Sequence, residues 1–262
     1  MEKCVRVDTW AECEQRLLQI EADNSGSLSG VWFRGLSKAC WCLATTLERR
    51  GIHTHPVANY WKLMLRVKPE VETFTGESWE VPEWSEPNGQ FDEHFRKNPG
   101  YGYMAHLRHH GFPSPLLDWS RSPYVAAYFA FKGGSPDDVA IYAFSETPNN
   151  TKSSASGHPK ICSHGGYNLK THERHFRQQS AYTVCVQQDD VTQPWKFVPH
   201  DGVFESPEDG QDLLYKTIIP SRERANVLRS LDRYNLNDFS LFGSEESLME
   251  TLAFREIDVK HK

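Results

Sequence analysis

The residues best suited to chemistry fall in three short stretches. The first ends in Phe33-Arg34-Gly35 and closes an apolar strand signal that begins at Gly30. A guanidinium matches phosphate oxygens with paired hydrogen bonds, and a glycine beside it leaves room for a ligand to approach the backbone. An arginine exposed at a strand-to-turn junction gives the same pattern. The second stretch joins His109-His110-Gly111 to Asp118-Trp119-Ser120 through Pro113 and Pro115. It reads as a turn whose polar groups the next segment must bury, and that is costly unless they are paired or used. Asp118 or Ser120 can cap the helix that Pro123 helps start, yet capping needs one polar residue and more are offered. A metal held by His109, His110 and Asp118 is disfavoured, because adjacent histidines rarely point the same way. The third stretch, Arg174-x-x-Arg177-Gln178-Gln179, stands before the strand signal AYTVCV and suits an anionic ligand or a solvated loop.

Tyr124 and Tyr128 are four apart, share a helix face and are available to stack on a ring, as core tyrosines also would be. No nucleophile elbow, phosphate-cradling glycine loop or zinc-protease helix is present. The cysteines (Cys4, Cys13, Cys40, Cys42, Cys162, Cys185) include no C-x-x-C pair, so free buried thiols are expected rather than zinc ligands. His53, His55, His158 and His164 fall in loops and are expected to face solvent.

Periodicity predicts the elements that must position these groups. Helices are expected over 8–23, 39–50 (closed by Gly51), 55–66, 103–110, 122–131, 221–236 and 244–254. Strands are expected over 30–35, 138–144, 181–186 and 213–219, with loops at 146–165 and 237–242. Residues 68–102, rich in Pro, Glu, Trp and Gly, read as a long irregular excursion with one short helix near Phe91–Phe95. Short strands between helices argue for an α+β domain with mainly antiparallel small sheets and packed helices. A single domain is expected over 1–262, with a helical N-terminal part to about residue 70 and a core over about 30–254.

Hydrophobic residues make up 38% of the chain and aromatics 12%, enough for a real core. A net charge of −6 disfavours a general nucleic-acid or membrane-surface binder. The basic run Lys170–Arg177 reads as a solvated stretch or a local nucleic-acid contact. No apolar run reaches the ~20 residues of a membrane helix, and the N-terminus lacks a secretory signal, so the cytoplasm is the expected compartment.

Four pieces taken together, a strand ending Phe33-Arg34-Gly35, then HLRHHGFPSPLLDWSRSPYVAAYFA, then RQQSAYT, then IIPSRERANVLRSLDRYNL, resemble the FRG-domain family over about residues 30–254. That family is named for its (F/Y)RG motif, and its second signature is similar to QHxGxPTRLLDWTxxPxxALYFA. Ser114-Pro115 stands where Thr-Arg is usual. The layout in turn resembles mono-ADP-ribosyltransferases, in which an Arg-bearing strand, a Ser-bearing strand leading into an Ala/Phe-rich helix and a third strand entered by a Glu- or Gln-bearing loop surround NAD.

That resemblance implies an NAD-dependent transferase of toxin or phage-defence type, or a non-catalytic nucleotide-binding module in such a system. It assigns catalysis to Arg34, Asp118 and Gln179. It assigns cofactor contacts to Phe33, Gly35, His109, His110, Trp119, Ser120, Tyr124, Tyr128, Arg177 and Gln178. Arg34 is expected to hold phosphate, Gly35 to admit the nicotinamide amide, and Tyr124 or Tyr128 to stack. Gln179 stands where a glutamate is usual, and a neutral amide gives an oxocarbenium-like state less electrostatic help. The expected partners are NAD, a protein, RNA or DNA target and a neutralising antitoxin.

Overall fold

The computed structural model describes residues 2–27, 29–87, 91–146, 157–164, 173–205 and 212–258. The chain begins with β1 (Glu2–Arg6), α1 (Trp10–Asp23) and β2 (Val31–Leu36), followed by β3 (His55–Pro56), α2 (Val57–Thr75), α3 (Phe91–Lys97) and α4 (Gly100–His109). Next come β4 (Leu117–Ser120), α5 (Pro123–Lys132), β5 (Val139–Ser145) and β6 (Lys160–His164). They lead to α6 (Glu173–Arg177), β7 (Ser180–Gln187), β8 (Lys196–Phe197), α7 (Asp201–Glu205) and β9 (Leu213–Ile219). The chain closes with α8 (Arg224–Arg233), α9 (Asp238–Phe242) and α10 (Glu245–Ala253).

The strands form one mixed sheet in the order β1-β9-β5-β2-β4-β7-β8-β3, with β6 also on β7. Every pairing is antiparallel except β1 with β9. The α+β class with a mainly antiparallel sheet therefore holds, but the strands join a single sheet rather than several small ones. The centre of that sheet is forked. β2 pairs with β5 from Val31 to Leu36, and β4 pairs with β7 from Leu117 to Ser120, yet β2 and β4 meet only at Phe33 and Ser120. Beyond that pair, Arg34–Leu36 leaves Asp118–Leu117 behind and the two ladders part.

Three clusters fill the fold. Val31 and Phe33 of β2 face α1, α5 and α8 in an aliphatic and alanine-rich core. Trp32 and Leu36 face the other side, with Leu117, Trp119 and Phe144. A third cluster under β7 is aromatic: Tyr60, Trp61, Phe91, Phe95, Tyr101, Tyr103 and Tyr182. Helix starts are locally encoded. Thr9 caps α1 by accepting from the Glu12 amide, and Ser122 caps α5 by accepting from the Val125 amide, with Pro123 in its first turn.

Several expectations are corrected. Residues 39–47 are turns and irregular chain, and only Glu48–Arg50 forms a short 3₁₀ turn ahead of Gly51 (φ 82°). Thr45 and Glu48 cap each other there, and the turn they start begins at Glu48, nine residues after the expected helix start at 39. Earlier in the segment, the Ala39 amide donates to the Asp138 carbonyl. α2 runs nine residues past the expected end and carries Pro69 inside it. Asp118-Trp119-Ser120 is a strand rather than a turn, because both its neighbours offer ladder bonds. Asp238–Phe242, expected as loop, is a helix with a reciprocal Asn237–Ser240 capping box. Lys160–His164 is a strand; the rest of the predicted 146–165 loop falls largely outside the described residues, as does the start of the basic run at 170. His164 is stacked on Tyr101 with ring centroids 4.1 Å apart rather than loop-borne in solvent. Cys4, Cys40 and Cys42 are exposed, so only Cys13, Cys162 and Cys185 meet the expectation of buried thiols. Among the described residues no helix is long and apolar enough to cross a membrane.

Candidate functional site

The fork opens into a cleft of about 240 Å³. β2 supplies Phe33 to Leu36, β4 supplies Asp118 to Ser120, and α4 supplies Arg108 and His109. α5 contributes Ala126 and Phe129, the turn before β7 contributes Gln178, β7 itself contributes Ser180 and Tyr182, and the loop after β2 adds Ser37, Trp41 and Arg49.

Arg34 spans the fork. Its Nη1 donates to the Asp118 backbone carbonyl at 2.5 Å and lies 2.9 Å from Asp118 Oδ1. Arg108 Nη2 donates to the same Oδ1 at 2.5 Å. Burial alone would push the Asp118 carboxyl up, but the Arg108 and Arg34 guanidiniums outweigh it and hold the group well below the usual carboxylate range. Its side chain still keeps 42% of its surface accessible, because it opens onto the cleft. Arg49 completes a ring of three guanidiniums. Burial, and then repulsion from Arg34, lowers its pKa. Three arginines against one carboxylate leave two net positive charges around a partly dry opening. Such a field favours a multiply charged anion, and phosphate above all.

Polar groups of another kind lie beside them. His109 Nε2 is 2.5 Å from Tyr182 Oη, and His175 Nδ1 is 3.0 Å from the same oxygen. Burial, and next the nearby Asp118 charge, raises the Tyr182 pKa. Burial lowers His175 to about 4 with help from Arg121, so it is neutral at pH 7. The Ser120 hydroxyl donates to the Gln178 carbonyl at 2.8 Å, which ties β4 to the turn before β7.

The sequence-predicted residues divide. Arg34, Asp118, His109, Ser120, Gln178, Gly35, Phe33 and Trp119 all border the cleft. The Phe33 and Trp119 side chains, however, are buried in the cores on either side of the sheet. A Cβ on Gly35 would lie 2.6 Å from the Ala130 amide nitrogen and closer still to the Ala126 carbonyl. Its missing side chain therefore serves close packing of α5 on β2, and the space expected for a ligand there is taken by helix backbone. Gln179 does not line the cleft. It adopts φ 49°, and its backbone carbonyl accepts from the Arg121 amide. His110 caps α4 from the exposed side, with its ring against His106. Tyr124 packs on Tyr234, Tyr128 lies in the aliphatic core, and Arg177 pairs with Glu173 at 3.0 Å. Sequence reasoning missed Arg108, Arg49, Trp41 and Tyr182. Arg108 sits inside the HLRHHG stretch and had a visible signal; Arg49 lay in a segment misread as helix.

Fold and cleft define a mixed α/β domain whose forked central sheet opens into an arginine-lined cleft. Over residues 29–139 the chain matches the family model of the FRG domain. That span holds Arg34, Arg49, Arg108, Asp118 and Ser120, whereas Gln178, Ser180 and Tyr182 lie beyond it. The likeness read from sequence over residues 30–254 thus has its matched part in the first half. No curated protein and no solved structure matches the chain.

Proposed function

We propose that the cleft holds NAD with its phosphates against Arg34, Arg108 and Arg49, and that the chain is a mono-ADP-ribosyltransferase of toxin or phage-defence type. The convergence of three guanidiniums on the forked strands carries this reading. An Arg-bearing strand, a Ser-bearing strand leading into an Ala/Phe-rich helix, and a third strand entered through Gln178 together support an ADP-ribosyltransferase-like layout. The cleft is small beside ligand sites of about 300–1,000 Å³, so part of a dinucleotide would lie along its open mouth.

Breaking the nicotinamide–ribose bond builds positive charge on the ribose, and a nearby carboxylate lowers that barrier. Gln179 is outside the cleft, so the role falls to Asp118. Both guanidiniums take its Oδ1, which reserves Oδ2 for a ribose hydroxyl. The target is a protein or a nucleic acid. The test is nicotinamide release and transfer of labelled ADP-ribose to cell extract. Wild type should turn over, and Arg34→Ala should lose at least about 100-fold. Arg49→Ala, at an exposed position, guards against a folding defect. Equal labelling by wild type and both variants would remove the assignment.

A second reading, a non-catalytic nucleotide-binding module, is favoured by one observation: two guanidiniums already neutralise Asp118, the single carboxylate that lines the cleft among the described residues. It expects NAD binding that Arg34→Ala abolishes, with no nicotinamide released over hours.

A further inference from the structure

The chain has eight tryptophans. Trp10, Trp32, Trp61, Trp119 and Trp195 are buried, and Trp79 and Trp84 are partly so. Trp41 is the exposed one, with 43% of its surface accessible, and it stands on the lip of the arginine cleft. The backbone beneath it is fixed. The Trp41 amide donates to the Lys38 carbonyl at 3.1 Å, and Tyr142 Oη donates to the Trp41 carbonyl at 3.3 Å. Its neighbours are cations: the Arg49 guanidinium is 5.9 Å from the ring centroid and Lys38 Nζ is 6.0 Å away. Lys38 is held in turn by Asp137 at 2.9 Å. Tyr124 and Tyr128, the rings that sequence offered for stacking, point elsewhere.

From this we propose that Trp41 is the stacking platform for a heteroaromatic ring of the bound nucleotide, with the attached phosphate on Arg49 and Arg34. The inference rests on the nucleotide reading of the cleft and adds the residue that tells a nucleotide from a bare phosphate. A lone exposed tryptophan means little. One anchored at its backbone, flanked by cations and open on the rim of an anion cleft supplies what a ring joined to phosphate needs, because base–aromatic stacking tolerates any π face.

The test is equilibrium binding of NAD, ADP-ribose and inorganic pyrophosphate to wild type, Trp41→Ala and Trp41→Phe. Trp41→Ala should weaken NAD and ADP-ribose at least about fivefold, with pyrophosphate unchanged, and Trp41→Phe should recover most of the loss. If pyrophosphate and NAD bind wild type and Trp41→Ala with the same affinities, the platform is overturned and the anion cleft stands. Equal weakening of pyrophosphate and NAD in Trp41→Ala would mean that the ring only props Arg49, and that also overturns it. If none of the three probes binds wild type, the nucleotide reading falls and takes the platform with it.

Discussion

The two walls of the cleft are built from different materials. On the β2 side, α5 lies on the sheet through Ala126, Ala127 and Ala130, so closely that Gly35 has no room for a methyl group. On the β7 side the packing is aromatic and punctuated by imidazoles: His164 stacks on Tyr101, His175 on Tyr182, and His109 bonds to Tyr182. One wall is fixed by shape and the other by hydrogen bonds among ionisable rings. The difference implies that volume changes should break the first and proton uptake the second.

The harshest break is Gly35→Ala. The added carbon meets helix backbone, which cannot turn aside as a side chain would, so α5 must lift from β2. Ordinary overpacking costs about 1–3 kcal/mol; a backbone collision should reach about 4 kcal/mol and shift the urea midpoint sharply down. An unchanged midpoint would mean that the helix seats loosely.

That glycine also marks how far sequence alone could go. Local rules reached α1, α5 and α10, because their caps and apolar periods lie within a few residues, and β9 was legible end to end. Arg34 and Asp118 were found because each ends or heads an apolar run. The fork was not legible, since a single pairing between Phe33 and Ser120 leaves no trace in either strand's composition. Nor was the role of Gly35: a glycine kept for a helix and one kept for a ligand look alike in a string. Residues 39–47 misled because Leu43 and Leu47, four apart, mimic a helical period, while the segment bonds to distant partners such as Tyr142 and Ser114. β1 was missed because its stability comes from Leu214 to Ile218, on the far end of the chain.

Between the walls stands Asp118, and Asp118→Asn tests the joint. It leaves the Arg34 and Arg108 guanidiniums facing each other without their shared anion. Removing one partner of a buried pair costs about 3–5 kcal/mol. The open carboxylate lowers the expectation here to about 2 kcal/mol. Because the folded pKa of Asp118 is depressed, its contribution is whole above the unfolded carboxylate range and is lost as pH falls through the folded value. The variant should therefore show a shallower loss of stability on acidification below about pH 4. A parallel acid limb in the two proteins would mean that the arginines do not hold this carboxylate.

The aromatic wall is probed by pH between 6.5 and 4. Burial, with the nearby Arg121 charge, holds His175 at about 4. The unfolded chain takes up its proton near the ordinary 6.5. Over that window the unfolded state binds more protons, so the His175 contribution to stability falls as pH drops and levels off below about 4. His175→Gln should remove about 2 kcal/mol of this dependence, read as the difference in unfolding free energy at pH 7 and pH 4.5. Gly35→Ala should leave the pH slope as it is in wild type, which separates the two walls in one experiment.

The smallest effect is the sharpest test of how the aromatic wall meets the cleft. Tyr182→Phe keeps the ring stacked on His175, at a centroid distance of 5.6 Å, and removes only the oxygen that two imidazoles share. A shared buried hydroxyl is worth about 1 kcal/mol or slightly more when its partners lose their bond. Tyr182 carries one proton and faces two histidines, so in the neutral state it donates to one ring nitrogen and accepts from the other. Without the oxygen, His109 keeps its place on α4 but loses the hydrogen bond between its ring and Tyr182 at the cleft. The expected outcome is a stability loss of about 1 kcal/mol, with a larger fractional loss of NAD binding than of pyrophosphate binding. If the two ligands weaken alike, His109 acts on the anion as one more polar group, and the distinction between a shape-fixed wall and a hydrogen-bonded wall stops short of the ligand.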